Sequence, residues 1–403
     1  MGLIQLLMKE KKHIDEIDEA DLKVDVRKNV AVRPTLKDIR RRSYISPEFG
    51  TRMEVLQKLE SMVHGRVGSG YGTMLSLPFD QKSSEHGPLH DFIWEEEADA
   101  EEIRSRGRMS ADIRTIAELV ESGKFSAYVL HPGNAEKFRK LFREDVPLIY
   151  KIDAHITQPK SAEMPSNVGT IEHAVGLEAS AIGATLYPGS SAVQQDLERV
   201  GKIVRDAHNS GLAAVVWAYA RGPGLSEPIG DKKAVSQEDS LYWVMYSVSI
   251  AEGALGADII KTKFPAKVKP DNREAYEQMI TKLANKNPAA IAYKYLEPKD
   301  PATELTDLQQ IYRMSLVTRS FPGSLIIVSG GPKKKEDPTE ELKWQTKIIM
   351  DAGAEGGIYG RNIWGVPTED GLKIADAILE VLRQPQYHRN YIPIKLHFSK
   401  PGQ

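Results

Sequence analysis

From Gly72 onward, short apolar runs recur along the chain, each followed by a polar loop and a segment of helical period. The runs are Gly72–Phe79, Ser126–Leu130, Pro147–Ile152, Ala181–Tyr187, Leu212–Tyr219, Ala257–Lys261, Ser324–Ser329 and Gly356–Tyr359. They are apolar at successive positions, not alternate ones, as strands of a parallel sheet covered on both faces must be. The segments between them, such as Ser190 to Ser210 and Ser236 to Leu255, carry the 3.6-residue period of helices. Strands alternating with helices predict a parallel α/β fold. Eight units over roughly 310 residues predict a closed (βα)8 TIM barrel instead of an open doubly wound sheet.

The barrel is expected over residues 71–385, with 386–403 as a C-terminal tail. Residues 1–70 differ: they are densely charged and without a strand pattern. They read as a helical or partly ordered extension, a solvated arm or an oligomer contact, ending in a helix near Phe49 to His64. The longest interval between strands, residues 262–323, holds two helical segments, Asn272 to Asn285 and Thr303 to Arg319, around a proline-containing stretch. A loop of that length on the rim of a barrel is either a plain insertion or part of the site.

Composition narrows the chemistry. Of 403 residues, 41% are hydrophobic and 27% charged, the profile of a globular protein with a sizeable core. The 54 basic and 56 acidic side chains nearly cancel, so no long-range field favours nucleic acid or an anionic membrane. Cysteine is absent, which excludes disulfides, thiolate zinc sites and thiol catalysis. No apolar run approaches the ~20 residues of a membrane span. Met1 to Met8 is too short for a signal peptide, so a cytoplasmic enzyme is expected. The histidines are scattered. Only His86 and His90 stand four apart, around Pro88, so no metal site is expected.

In a (βα)8 barrel the reactive groups gather where strands end. Lys261 sits where the otherwise apolar Ala-Asp-Ile-Ile meets the site. A buried ammonium without a partner is costly, which favours the neutral amine, and a neutral amine attacks a ketone to form an iminium that serves as an electron sink. Lys263 shares its parity and is the rival nucleophile; Lys151 would add positive charge. Asp80 and Tyr219, closing the first and fifth strands, are the candidate acid/base groups, and Trp217 would face inward with Tyr219, either lining the site or simply packing. Ser329, Gly330 and Gly331 after the seventh strand, with Gly360 and Arg361 after the eighth, offer backbone N–H groups and a permanent cation where this fold usually binds phosphate.

These stretches carry a resemblance. LSLPFDQKSSEHG, IGATLYPGS, VVWAYARG, GADIIKTKFP, IVSGGPK and GGIYGRNIWG are collinear and together resemble the archaeal-type class I fructose-1,6-bisphosphate aldolases, a family also found in bacteria. The resemblance implies a (βα)8 barrel that needs neither metal nor cofactor. It implies a sugar-phosphate substrate, fructose 1,6-bisphosphate, reversibly cleaved to glycerone phosphate and glyceraldehyde 3-phosphate in glycolysis and gluconeogenesis. It also implies a homo-oligomer, commonly a decamer. Lys261 matches the Schiff-base lysine, Tyr219 the proton-transferring tyrosine, Asp80 the aspartate after the first strand and Trp217 the tryptophan lining the sugar site. Ser329, Gly330, Gly331, Gly360 and Arg361 match the C1-phosphate site. The stretch from Asp80 to Glu85-His86-Gly87 is one residue longer than in the family, so no role carries over to His86. Two alternatives stand beside this reading: an amino-dideoxyheptulosonate synthase-like transaldolase, which tends to have another residue at Trp217, and a non-catalytic sugar-phosphate-binding protein.

Overall fold

The computed structural model describes residues 2–31, 49–80, 112–156, 164–229, 232–235, 238–320, 322–331 and 337–389. Eight parallel strands close into a barrel: β1 (Met74–Pro78), β2 (Ala127–Leu130), β3 (Leu148–Lys151), β4 (Ala181–Leu186), β5 (Ala213–Ala218), β6 (Ile259–Thr262), β7 (Leu325–Ser329) and β8 (Gly356–Ile358). Each pairs with its neighbours in sequence, and β1 pairs with β8 through Met74–Gly356, Leu75–Gly357 and Ser76–Ile358. Every strand lies within a run expected from the sequence or runs one residue past it.

The doubly apolar runs have a simple cause. Alternate residues face opposite ways, and both directions are buried. Leu75, Tyr128, Ile182, Val216, Ile260 and Val328 point outward into the shell shared with the helices. Met74, Val129, Ile149, Val215, Ile259 and Ile327 point into the barrel. The inner cluster also contains Val55, Leu59 and Val63 of helix α3 (Phe49–His64), which closes the end of the barrel opposite the strands' C-terminal ends. One end is thus filled with apolar side chains, and the other is left to polar chemistry.

Residues 2–31 lie against the molecule's own outer surface. Helices α1 (Leu3–Glu10) and α2 (Glu19–Ala31) bury Leu3, Leu7, Leu22 and Val26 in the outer shell. Residues 2–31 are therefore not a solvated arm: despite their charge, their apolar positions are spaced to form a packing face. Asn29 bonds Ser315 at 3.1 Å and Arg319 at 2.8 Å on the helix Asp307–Ser320, which lies in the long interval after β6.

The expected helix over Ser236 to Leu255 is shorter, Leu241–Ser249, and ends in a π turn at Ile250–Ala254. Beyond β5 the chain forms a hairpin, Ser226–Ile229 with Lys232–Val235, that the helical and strand periods did not anticipate. No helix among the described residues is long and apolar enough to cross a membrane.

Candidate active site

Inward parity continues past the apolar layer. Two residues beyond Ile259 stands Lys261, and two more bring Lys263. By the same rule β3 presents Lys151, β5 presents Trp217 and then Tyr219, and β7 presents Ser329 after Ile327. Register fixes the heights. Lys261 pairs with Trp217 on one side and Ile327 on the other. Ser329 therefore stands one pleat repeat above Lys261, roughly 7 Å along the barrel.

Lys261 and Lys151 are both buried, and both approach the indole of Trp217, with their ammonium nitrogens 4.8 and 5.3 Å from a ring centroid. Lys261 also lies 5.8 Å from the Tyr219 ring, and Lys263 lies 5.5 Å from it. Gly183 of β4 makes this crowding feasible. A Cβ there would sit 2.5 Å from the Trp217 ring and 3.2 Å from the Lys151 stem. The glycine of IGATLYPGS is thus required by the close approach of two side chains, not by a turn.

Asp80 is buried just beyond β1. Burial pushes its carboxyl up, but the charges of Lys261, Lys151 and His131 outweigh that and hold it below the ordinary aspartate range. It is a carboxylate at neutral pH, an acceptor and not a donor. His131, closing β2, is held low by burial and by Lys151, against the pull of Asp80 and Asp153. Its Nε2 meets the Asp153 carbonyl at 3.0 Å; a carbonyl only accepts, so Nε2 carries the proton.

Lys151 has its own counter-ion. Its ammonium donates to the Asp153 carboxylate and, at 3.1 Å, to the Asp153 carbonyl. Asp153 also accepts from Arg199 at 2.9 Å and from the Thr185 N–H at 2.7 Å. Arg199 in turn binds Asp196 at 2.7 Å. Burial alone would raise the Asp153 carboxyl; Lys151 and Arg199 hold it low. Sequence reasoning placed Lys151 at the site but missed Arg199, which arrives from the helix Val193–Asn209. The i,i+3 spacing of Asp196 and Arg199 is readable as a local pair, but nothing in the sequence aims Arg199 at β3.

The phosphate candidates come together where β7 and β8 end. Ser329 is buried, and its hydroxyl finds no hydrogen-bond partner among the described residues. Gly331 has φ +74°, so the turn needs glycine. Arg361 donates to the Gly331 carbonyl at 3.3 Å, and Asn362 donates to that of Gly330 at 3.3 Å. Behind Gly360, the Trp364 indole bonds the Pro78 carbonyl at 2.9 Å, tying this turn to β1. His86 and His90 lie outside the described residues, among which no three His, Asp or Glu side chains gather as a metal site.

The sequence model described as DeoC/LacD family aldolase matches residues 74–365. A class 1 fructose-bisphosphate aldolase of Thermoproteus tenax is 29% identical over 79% of this chain and 92% of its own. A probable class 1 fructose-bisphosphate aldolase of Chlamydia muridarum is 25% identical over 85% of this chain and 88% of its own. A crystal structure of an archaeal fructose 1,6-bisphosphate aldolase superposes with a TM-score of 0.56 and 26% identity, covering 81% of this chain and 99% of that one.

Proposed function

The chain belongs to the DeoC/LacD family of aldolases, and from that premise we infer that it is a class I, Schiff-base-forming fructose-1,6-bisphosphate aldolase. One observation carries the reading: a buried lysine, Lys261, shares one inward face with Trp217, Tyr219 and Asp80, one pleat below Ser329 and the Gly330-Gly331 turn.

Each residue then has a task. The Lys261 amine attacks the substrate ketone, and loss of water gives an iminium. The C4 hydroxyl gives up its proton, the C3–C4 bond breaks, and its electrons flow into the iminium to leave an enamine and glyceraldehyde 3-phosphate. Protonation of the enamine at C3 and hydrolysis release glycerone phosphate and restore the amine. Tyr219, whose ring lies against Lys261 and Lys263, supplies the phenol that moves a proton in these steps. Asp80, held as a carboxylate, accepts and orients hydroxyl protons. Trp217, its ring close to both Lys261 and Lys151, walls the sugar.

Ser329, Gly330, Gly331, Gly360 and Arg361 bind the C1 phosphate. The height of Ser329 above Lys261 suits a phosphate on the carbon next to the ketone. Arg361→Ala removes one charge-assisted hydrogen bond, worth roughly 1.5–3 kcal/mol, so KM for the bisphosphate should rise by about one to two orders of magnitude. Steady-state kinetics measure this directly; an unchanged KM would place the phosphate elsewhere.

The same reading extends to a functional unit of residues 71–385, carried by the βα pattern, and to a cytoplasmic homo-oligomer, whose assembly rests on the resemblance. The decisive assay is cleavage of fructose 1,6-bisphosphate with and without EDTA. Equal cleavage in both is expected. Loss of activity in chelator would overturn the metal-independent mechanism, and no cleavage in either would overturn the substrate.

A further inference from the structure

The chain leaving β6 carries Lys263 at the mouth of the site and then runs through Phe264-Pro265-Ala266-Lys267-Val268. This segment makes no regular strand, yet its backbone is held at successive positions. Arg313, fully buried on the helix Asp307–Ser320, donates to the Pro265 carbonyl at 3.4 Å and to the Ala266 carbonyl at 3.0 Å. The same guanidinium is paired with the buried carboxylate of Glu297. The other oxygen of Glu297 accepts from the Val268 N–H at 3.0 Å. The Ala266 N–H is taken by the Asp239 carbonyl at 2.7 Å.

Glu297 is itself held from outside. The Nδ1–H of His13 donates to its carbonyl at 2.9 Å. Nearby, Asp15 accepts the Lys299 N–H at 3.0 Å, Glu16 pairs with the Lys299 ammonium at 2.7 Å, and the Ile14 carbonyl accepts from Gln309 at 3.3 Å. The turn between α1 and α2 therefore grips the segment that carries Glu297.

A buried ion pair is weak evidence for stability, since desolvation cancels much of its attraction. This one is placed for a different task, because both partners spend their remaining hydrogen bonds on backbone two to five residues past Lys263. We infer that Glu297 and Arg313, steadied by His13 of the N-terminal segment, are positioning residues that set the height of Lys263 over Tyr219 and so the geometry around Lys261. The inference rests on the aldolase reading. It gives the N-terminal segment a part in the reaction that no residue of that segment touches.

The test uses the full-length protein with the variants Glu297→Gln, Arg313→Lys and His13→Ala. Active sites are counted by borohydride trapping with glycerone phosphate, and kcat is expressed per trappable site. Glu297→Gln is expected to lower that kcat at least about tenfold and to slow trapping, with a smaller change in KM. Arg313→Lys keeps the charge but cannot bridge both carbonyls, so about half of the loss on a logarithmic scale is expected. His13→Ala loses the buried hydrogen bond to the Glu297 carbonyl and the ring contact with Tyr295, and should lower kcat by about threefold. Wild-type kcat per site in folded Glu297→Gln and His13→Ala overturns the inference. A loss explained entirely by fewer trappable sites also overturns it, because that is a merely structural role. If Glu297→Gln does not fold, Arg313→Lys and His13→Ala decide on the same readouts. Failure of the wild-type protein to trap substrate at all would instead strike the aldolase reading.

Discussion

Lys261→Met is expected to lower kcat by at least about 10⁴-fold while leaving the fold intact, because it removes the covalent amine and keeps an unbranched stem of similar length. The site should tolerate the change. Lys261 is buried against Trp217, where a thioether packs well. Asp80 would lose one counter-charge but keep that of Lys151. Borohydride reduction in the presence of glycerone phosphate should place a stable adduct on Lys261 in the wild-type protein and none in the variant.

The neighbouring lysines make peptide mapping essential. Lys263 faces the same way and lies as close to Tyr219. It is only partly buried, however, and interacts electrostatically with Glu238. The ammonium of Lys151 is committed to Asp153. An adduct on Lys263 would move the reaction up one pleat. An adduct on Lys151 would move it to β3.

Tyr219→Phe should lower kcat by about 10²–10⁴-fold, the usual share of a general acid/base, with little change in substrate binding. The ring contacts with Lys261 and Lys263 survive this change, and only the hydroxyl is lost. Trapping at Lys261 should slow but persist, since the amine remains. Trp217→Phe should act differently, raising KM or broadening substrate choice, because it reshapes the wall without removing a proton carrier. Near-normal kcat in Tyr219→Phe would shift proton transfer to another group. Asp80 would then be the first candidate, its carboxylate state at neutral pH making it a base.

The barrel was legible because burial on both faces leaves its mark on consecutive residues. Each of the eight apolar runs gave rise to one strand, and parity counted along the runs set Trp217 with Tyr219 and Lys261 with Lys263, side chains that the structure brings near one another. Those are local properties: the two-residue repeat of a strand is written into the order of side chains. Neighbourhood between strands is not. The register that sets Lys261 beside Trp217 and Ile327 came only with the closed barrel. So did the need for Gly183, whose missing side chain leaves room for an indole from the next strand. Arg199 reaches Asp153 across 46 positions of sequence, and His13 reaches Glu297 across 284. No periodicity encodes such meetings, because their partners are selected by the packing of whole helices against the barrel. For the same reason, the charged first segment looked like a solvated extension. Its few apolar residues form a packing face only when the helix Asp307–Ser320 and the chain around Glu297 stand opposite them, and that opposition belongs to the tertiary structure alone.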